Sequence, residues 1–168
     1  MERIRNYTQI ISNVSRLDVI SAVFGSFFAI STLAYIFINY NSSFLIASFG
    51  ASAVILYATP NGIFARPQNL IGGHLIAATV GVIISNLIGM TWWSLALGVS
   101  TTIFLTMITN TIHPPAGATA LVAIMSSAKP IFILMPVFTG VMTLLIWAII
   151  TNKLREKAIS HKENAKMD

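Results

Sequence analysis

Thr109-Asn110-Thr111-Ile112-His113-Pro114-Pro115-Ala116-Gly117-Ala118-Thr119-Ala120 separates a long apolar run from a short one. A residue that precedes proline is pushed out of the α region, so the long helix is expected to stop near His113. Proline suits the first turn of a helix, so a short one is expected to begin at Pro114 or Pro115. On one side lies Trp92–Ile112, long enough to span a bilayer. On the other lies Ala116–Ala128, which rises only about 20 Å as a helix and is too short for a comfortable span.

The same alternation extends through the chain. Leu17–Ile38, Leu70–Met90 and Ile131–Thr151 are further long apolar runs, and Phe44–Ala58 is a second short one. Thr59-Pro60-Asn61-Gly62 is a strong turn signal, Arg66-Pro67 follows it, and Lys129-Pro130 closes the other short run. The fold class expected is therefore an all-α polytopic membrane protein with four long transmembrane helices and two short or re-entrant ones. Short hydrophobic segments at matching places in two halves point to a transport site.

Charge placement agrees. The 168 residues include ten Lys and Arg and five Asp and Glu. Five of these charges fall in the first 18 residues and eight in the last 16, leaving Arg66 and Lys129 for everything from Val19 to Asn152. Such a stretch could not cover a water-facing surface, and mean hydropathy is +0.79. A soluble globular domain is excluded. The absence of cysteine excludes disulfide scaffolds and thiolate metal centres. A phosphate-cradling G-x-x-x-x-G-K-[ST] loop is also missing. The basic balance reads as membrane-surface anchoring rather than nucleic-acid binding, because the cations lie in two tails beside apolar runs.

Three regions follow. Residues 1–16 carry Ile4, Tyr7, Ile11 and Val14 at helical steps leading to Leu17, with arginines between them. An amphipathic interfacial segment is expected, with a frayed tail as the alternative. Residues 17–152 form the transmembrane domain, and 153–168 a basic tail. Basic residues at both ends place both termini in the cytoplasm, in a prokaryotic inner membrane, and require an even number of crossings, four or six.

The short runs resemble each other. Gly50-Ala51-Ser52-Ala53-Val54 matches Gly117-Ala118-Thr119-Ala120-Leu121, and the order of flanking elements repeats. A two-fold internal repeat with halves of about 17–90 and 92–152 is expected.

Ionisable groups in a membrane suggest function. Arg66 and Lys129 have no carboxylate to pair with in that stretch. Either both reach the interface or an anion visits them. Thr102, Thr106, Thr109 or Asn110, and His113 share one helical face, which either lines a pathway or bonds its own backbone. His113 either caps the helix end or serves function. His74, in Gly72-Gly73-His74, is either a pore or proton-carrying group or a packing residue. The first amides of the helix after Pro115, at Ala116, Gly117 and Ala118, offer a small-anion site. Phe49, Gly50 and Ala51 are expected to do the same in the first half, with the hydroxyls of Ser52 and Thr119 beside them. Close packing of two small-residue helices is the competing reading.

With these residues assembled, the chain resembles the HPP family of integral membrane proteins. The matching residues are His113-Pro114-Pro115-Ala116-Gly117-Ala118-Thr119-Ala120 and Phe49-Gly50-Ala51-Ser52-Ala53-Val54, then Gly73-His74 and Pro136-Val137 with Gly140. Arg66-Pro67-Gln68-Asn69 departs from the family's usual Gln-Pro-Arg-Asn, the arginine standing on the other side of the proline. Relatives in plastids and cyanobacteria imply nitrite transport. The function expected is a transporter or channel for a small monovalent anion, nitrite first among candidates, acting as a homo-oligomer in the lipid bilayer. No enzymatic activity, cofactor, metal or nucleic-acid partner is expected. The alternative is a non-conducting interaction or sensor subunit.

Overall fold

The computed structural model describes residues 14–39 and 45–164. The expected amphipathic segment at residues 1–16 lies almost wholly outside these. Among the described residues the chain is helical, with no strand. Helix α1 is Arg16–Asn39 and α2 is Leu45–Ala53, prolonged by a wider π-type turn at Val54–Ala58. A 3₁₀ turn at Ile63–Ala65 leads to α3, Pro67–Leu87. Helix α4 is Trp92–Ile108, α5 is Ala116–Met125, and a π-type segment at Ile133–Phe138 leads to α6, Thr139–Asn164.

Three helices among the described residues are long and apolar enough to cross a membrane: Arg16–Ile38, Pro67–Leu87 and Ile133–Ser160. The expected fourth, Trp92–Ile112, is cut short. Helix α4 ends at Ile108, and Asn110 turns left-handed at φ 53°. A proline at 114 disfavours the α region for His113, and residues 111–113 lie outside any helix, so the chain leaves α4 about a turn earlier. Seventeen residues rise about 25 Å, less than the roughly 30 Å hydrocarbon core. Helix α6 continues through the basic residues to Asn164, so Lys153–Lys157 extend the last membrane helix.

Turn chemistry follows the sequence. Gly62 N–H donates to the Thr59 carbonyl at 2.8 Å, closing the Thr-Pro-Asn-Gly turn. Pro67 opens α3. Thr91 and Ser94 cap α4 reciprocally, the side chain of each accepting from the other's backbone N–H.

Successive segments run back and forth. Helices α1 and α6 pair antiparallel: Asp18 meets Arg155 at 3.4 Å, Phe28 stacks on Trp147 at 5.3 Å, and Gly25 and Gly140 sit against Thr151 and Phe37. Helices α3 and α5 run parallel, and glycine brings their backbones together. A Cβ on Gly73 would lie 2.8 Å from that of His113, and one on Gly81 would lie 2.5 Å from that of Ala123. The core joins α1, α2, the π-type segment and α6 through Leu33, Phe37, Phe49, Val137, Val141 and Leu144. Many large apolar side chains stay exposed, among them Phe24, Phe27, Ile103, Phe104 and Ile146. Lipid is the solvent that suits such a surface.

Candidate functional site

Five buried polar side chains converge where α2, α3 and α5 meet. Ser48 and Ser52, one turn apart on α2, face His74 on the second turn of α3 and Thr119 on the first turn of α5. His113 enters from the link between α4 and α5, beside the bare backbone of Gly73. None of these five side chains is more than 2% exposed.

They form one connected network. The Ser52 hydroxyl lies 2.9 Å from Nε2 of His74 and 2.9 Å from Nε2 of His113. Nδ1 of His74 lies 2.8 Å from the Thr119 hydroxyl, which lies 2.9 Å from that of Ser48. The Ser48 hydroxyl donates to the Pro115 carbonyl at 3.0 Å, and the Ser52 hydroxyl reaches the Ser48 carbonyl at 3.2 Å. Nδ1 of His113 donates to the Phe64 carbonyl at 2.9 Å, because a carbonyl only accepts. The imidazole rings are 5.1 Å apart, and the Phe49 ring lies 5.1 Å from that of His74. Burial without these bonds would be costly, so the network ties three helices and two links together.

Phe64 joins the network to a second feature. Ile63, Phe64, Arg66, Gln68, Asn69, Asn110 and Ile112 line a hollow of about 320 Å³. Arg66 is exposed, and Asn69 donates from Nδ2 to the Ile112 carbonyl at 2.9 Å. Gly25 of α1 packs against Tyr57 and Thr151, so the turn before Arg66 lies toward the same end as the start of α1 and the basic end of α6.

The structure thus unites His74, His113, Ser52 and Thr119, with Pro115 as an acceptor, and places Arg66 and Asn110 at the neighbouring hollow. The expected anion site on free helix amides is not formed. The N–H of Ala116 donates to His113, that of Gly117 to Pro114 and that of Ala118 to Pro115, because the two prolines start a tight turn whose carbonyls capture these donors. The counterpart at Phe49, Gly50 and Ala51 lies inside α2, beyond its first four residues, where amides bond within the helix. Gly50 instead faces an apolar groove between α1 and α2, with nothing within 4 Å of the site of a Cβ. Thr102 and Thr106 donate to Gly98 and Thr102 of their own helix at 2.8 Å, so these stripe hydroxyls are engaged with backbone. Lys129 is exposed at the end of its run. Sequence reasoning missed Ser48, although its spacing from Ser52 put both on one face of α2. It also missed the role of the Phe64 carbonyl, which no side-chain pattern reveals.

The family model described as HPP, transmembrane region, matches residues 11–160. Two transmembrane proteins of Dictyostelium discoideum are similar. One is 40% identical over 68% of this chain and 39% of its own length, the other 39% identical over 67% and 42%. The chain thus spans about two fifths of the curated relatives it matches. Both belong to a eukaryote, so they lend nothing to the expectation of a prokaryotic membrane. No solved structure matches the chain.

Proposed function

The chain belongs to the HPP transmembrane family, and on that premise we propose that it is a membrane transporter or channel for a small monovalent anion, with nitrite as the leading substrate. One observation carries this reading. Two histidines and three hydroxyls are buried together within a membrane-spanning helical bundle, directly behind a hollow whose rim carries Arg66. Polar clusters are costly at that depth, and in membrane proteins they mark ion and substrate routes. A cation at the mouth and no carboxylate from Val19 to Asn152 suit an anion electrostatically.

On this reading the anion enters past Arg66 and Asn110 and passes the His113 link. The network is closed as it stands, so passage requires the link between α4 and α5 to move away from Gly73. The two sets of three helical segments, on either side of the turn before Trp92, act as inverted repeat halves, with α4 serving as the fourth membrane helix despite its length. Both termini are cytoplasmic, and the hollow opens toward them. The protein functions as a homo-oligomer in a cell membrane and is not an enzyme.

The test is nitrite uptake into proteoliposomes by the wild type, His113→Ala and Arg66→Ala. Wild-type flux that falls in both variants is expected. No flux above empty liposomes, with nitrate, formate and chloride also silent, overturns the reading. The enclosure of the network, with none of its side chains more than 2% exposed, favours a second reading in that case, a non-conducting interaction subunit, in which His113→Ala changes partner recovery instead.

A further inference from the structure

The hydrogen atoms of the buried network do not match its contacts. Six contacts of 2.8–3.0 Å link Phe64 O, His113, Ser52, His74, Thr119, Ser48 and Pro115 O. Each needs one hydrogen between its two heavy atoms. With both imidazoles neutral, the side chains supply five: one ring N–H each from two histidines and one O–H each from three hydroxyls. Two are fixed by carbonyls, His113 Nδ1–H to Phe64 and Ser48 O–H to Pro115. Three remain for the four contacts that run from His113 through Ser52, His74 and Thr119 to Ser48. One contact would then set two lone pairs against each other, unless Ser48 shares its hydrogen between two acceptors. The Ser48 carbonyl competes for the Ser52 hydrogen at 3.2 Å and supplies none.

We propose that the His74–Ser52–His113 bridge is a proton-binding site that holds one proton between its two rings. A sixth hydrogen completes every contact in one continuous order. His113 donates from Nδ1 to Phe64 O and from Nε2 to Ser52. Ser52 donates to Nε2 of His74, and Nδ1 of His74 donates to Thr119. Thr119 donates to Ser48, and Ser48 to Pro115 O. Without the sixth hydrogen, Ser52 donates to His113 instead, and the order from Thr119 to Ser52 runs the other way. Ser52 and Thr119 are thus the hydroxyls that turn when the proton arrives. The step takes one proton from water: an N–H forms at His113 Nε2, the His74 N–H passes from Nε2 to Nδ1 as the order reverses, and the cluster gains one unit of charge.

A second proton is excluded by repulsion between two cations with ring centres 5.1 Å apart and no acid between them. Helix α2 brings Ser48, Phe49 and Ser52, α3 brings His74, and α5 brings Thr119. The α4–α5 link brings His113. Tyr57, on the extension of α2, donates to the Leu144 carbonyl at 3.1 Å. Arg66, two residues beyond Phe64, is exposed. Among the described residues no carboxylate is bonded to the network. A protonated bridge therefore lacks an internal counter-charge, and a monovalent anion supplies one. This last consequence rests on the transport reading and makes the bound proton the coupling ion.

The test is ¹⁵N-histidine NMR of the full chain in liposomes, with His161→Asn removing the remaining histidine, titrated from about pH 8 to about pH 5. Imidazolium signal equivalent to one ring per chain is expected. Ser52→Thr should keep it, and Ser52→Ala should move its midpoint by about one pH unit or more, a tenfold change in proton affinity. Two neutral rings throughout, two fully cationic rings, or an unmoved midpoint in Ser52→Ala each overturn the proposal. Nitrite uptake into the same liposomes separates the two readings. Imidazolium without flux sinks transport and leaves the proton site standing. Flux with neutral rings sinks the proton site and leaves transport standing.

Discussion

Gly81 and Ala123 meet so closely that a Cβ on Gly81 would lie 2.5 Å from the Cβ of Ala123 and 2.8 Å from the Ala120 carbonyl oxygen. Helices α3 and α5 therefore touch backbone to side chain, and this contact sets how near His74 can come to Thr119. Neither neighbour is a flexible side chain that could turn aside. Gly81→Ala should lower stability by about 1–3 kcal/mol, the usual cost of overpacking, and Gly81→Val should cost more. Gly50→Ala is the control, since its Cβ would enter open space, and a helical glycine replaced by alanine gains up to about 1 kcal/mol. Thermal unfolding in detergent should rank Gly81→Val below Gly81→Ala, and Gly81→Ala below Gly50→Ala. Equal midpoints for Gly81→Ala and Gly50→Ala would show that the helices are not held at this distance.

The Ser48 hydroxyl joins α2 to α5 twice, through the Pro115 carbonyl and the Thr119 hydroxyl. Ser48→Ala removes one of two donors to the Pro115 carbonyl, the Ala118 N–H remaining, and takes a partner from the Thr119 hydroxyl in a site closed to water. A lost hydrogen bond costs about 0.5–1.5 kcal/mol. The variant should unfold at a lower temperature, and Ser48→Thr, which restores a hydroxyl, should recover most of the difference. Loss of the same size in both variants would assign Ser48 to packing alone.

The elements were legible because proline, glycine and apolar run length act locally. Pro60, Pro67 and Pro114 each mark a break that the structure contains, and α5 starts one residue after the expected position. The end of α4 was misjudged because apolar Ile112 continues the hydrophobic pattern after the backbone has left the helix at Asn110. At the site, His74, His113, Ser52 and Thr119 were identified individually as polar residues in an apolar setting. Their union was not legible, since it depends on how far α3 sinks against α5 through Gly73 and Gly81. The amides after Pro115 were misread for a related reason. Helix ends look free in a sequence, whereas in the fold the carbonyls of His113, Pro114 and Pro115 have taken these donors.

Thr106 distinguishes the polar stripe from the network. Its hydroxyl donates to the Thr102 carbonyl at 2.8 Å and is buried at 5% exposure. A threonine bonded to its own helix presents little to a passing ion. Thr106→Val keeps the shape and removes the hydroxyl without orphaning another side chain. Nitrite flux in proteoliposomes should stay within about twofold of wild type, since surviving contacts on both sides are unchanged. A tenfold loss would return the stripe to the conduction route.

Arg66 stands at the rim of the hollow rather than inside the network, so its contribution should be electrostatic attraction. A cation at the mouth raises the local concentration of an anion and loses that effect as salt screens it, with a Debye length of about 10 Å at 0.1 M. Arg66→Gln should raise the half-saturating nitrite concentration several-fold and leave the maximal rate nearly unchanged. Arg66→Lys, which keeps the charge, should lie close to wild type. The gap between Arg66→Gln and wild type should narrow as an inert salt is raised on both sides of the membrane. If Arg66→Gln instead lowers the maximal rate and the defect ignores salt, Arg66 contacts the anion at a narrow point of the route, and the attraction account fails.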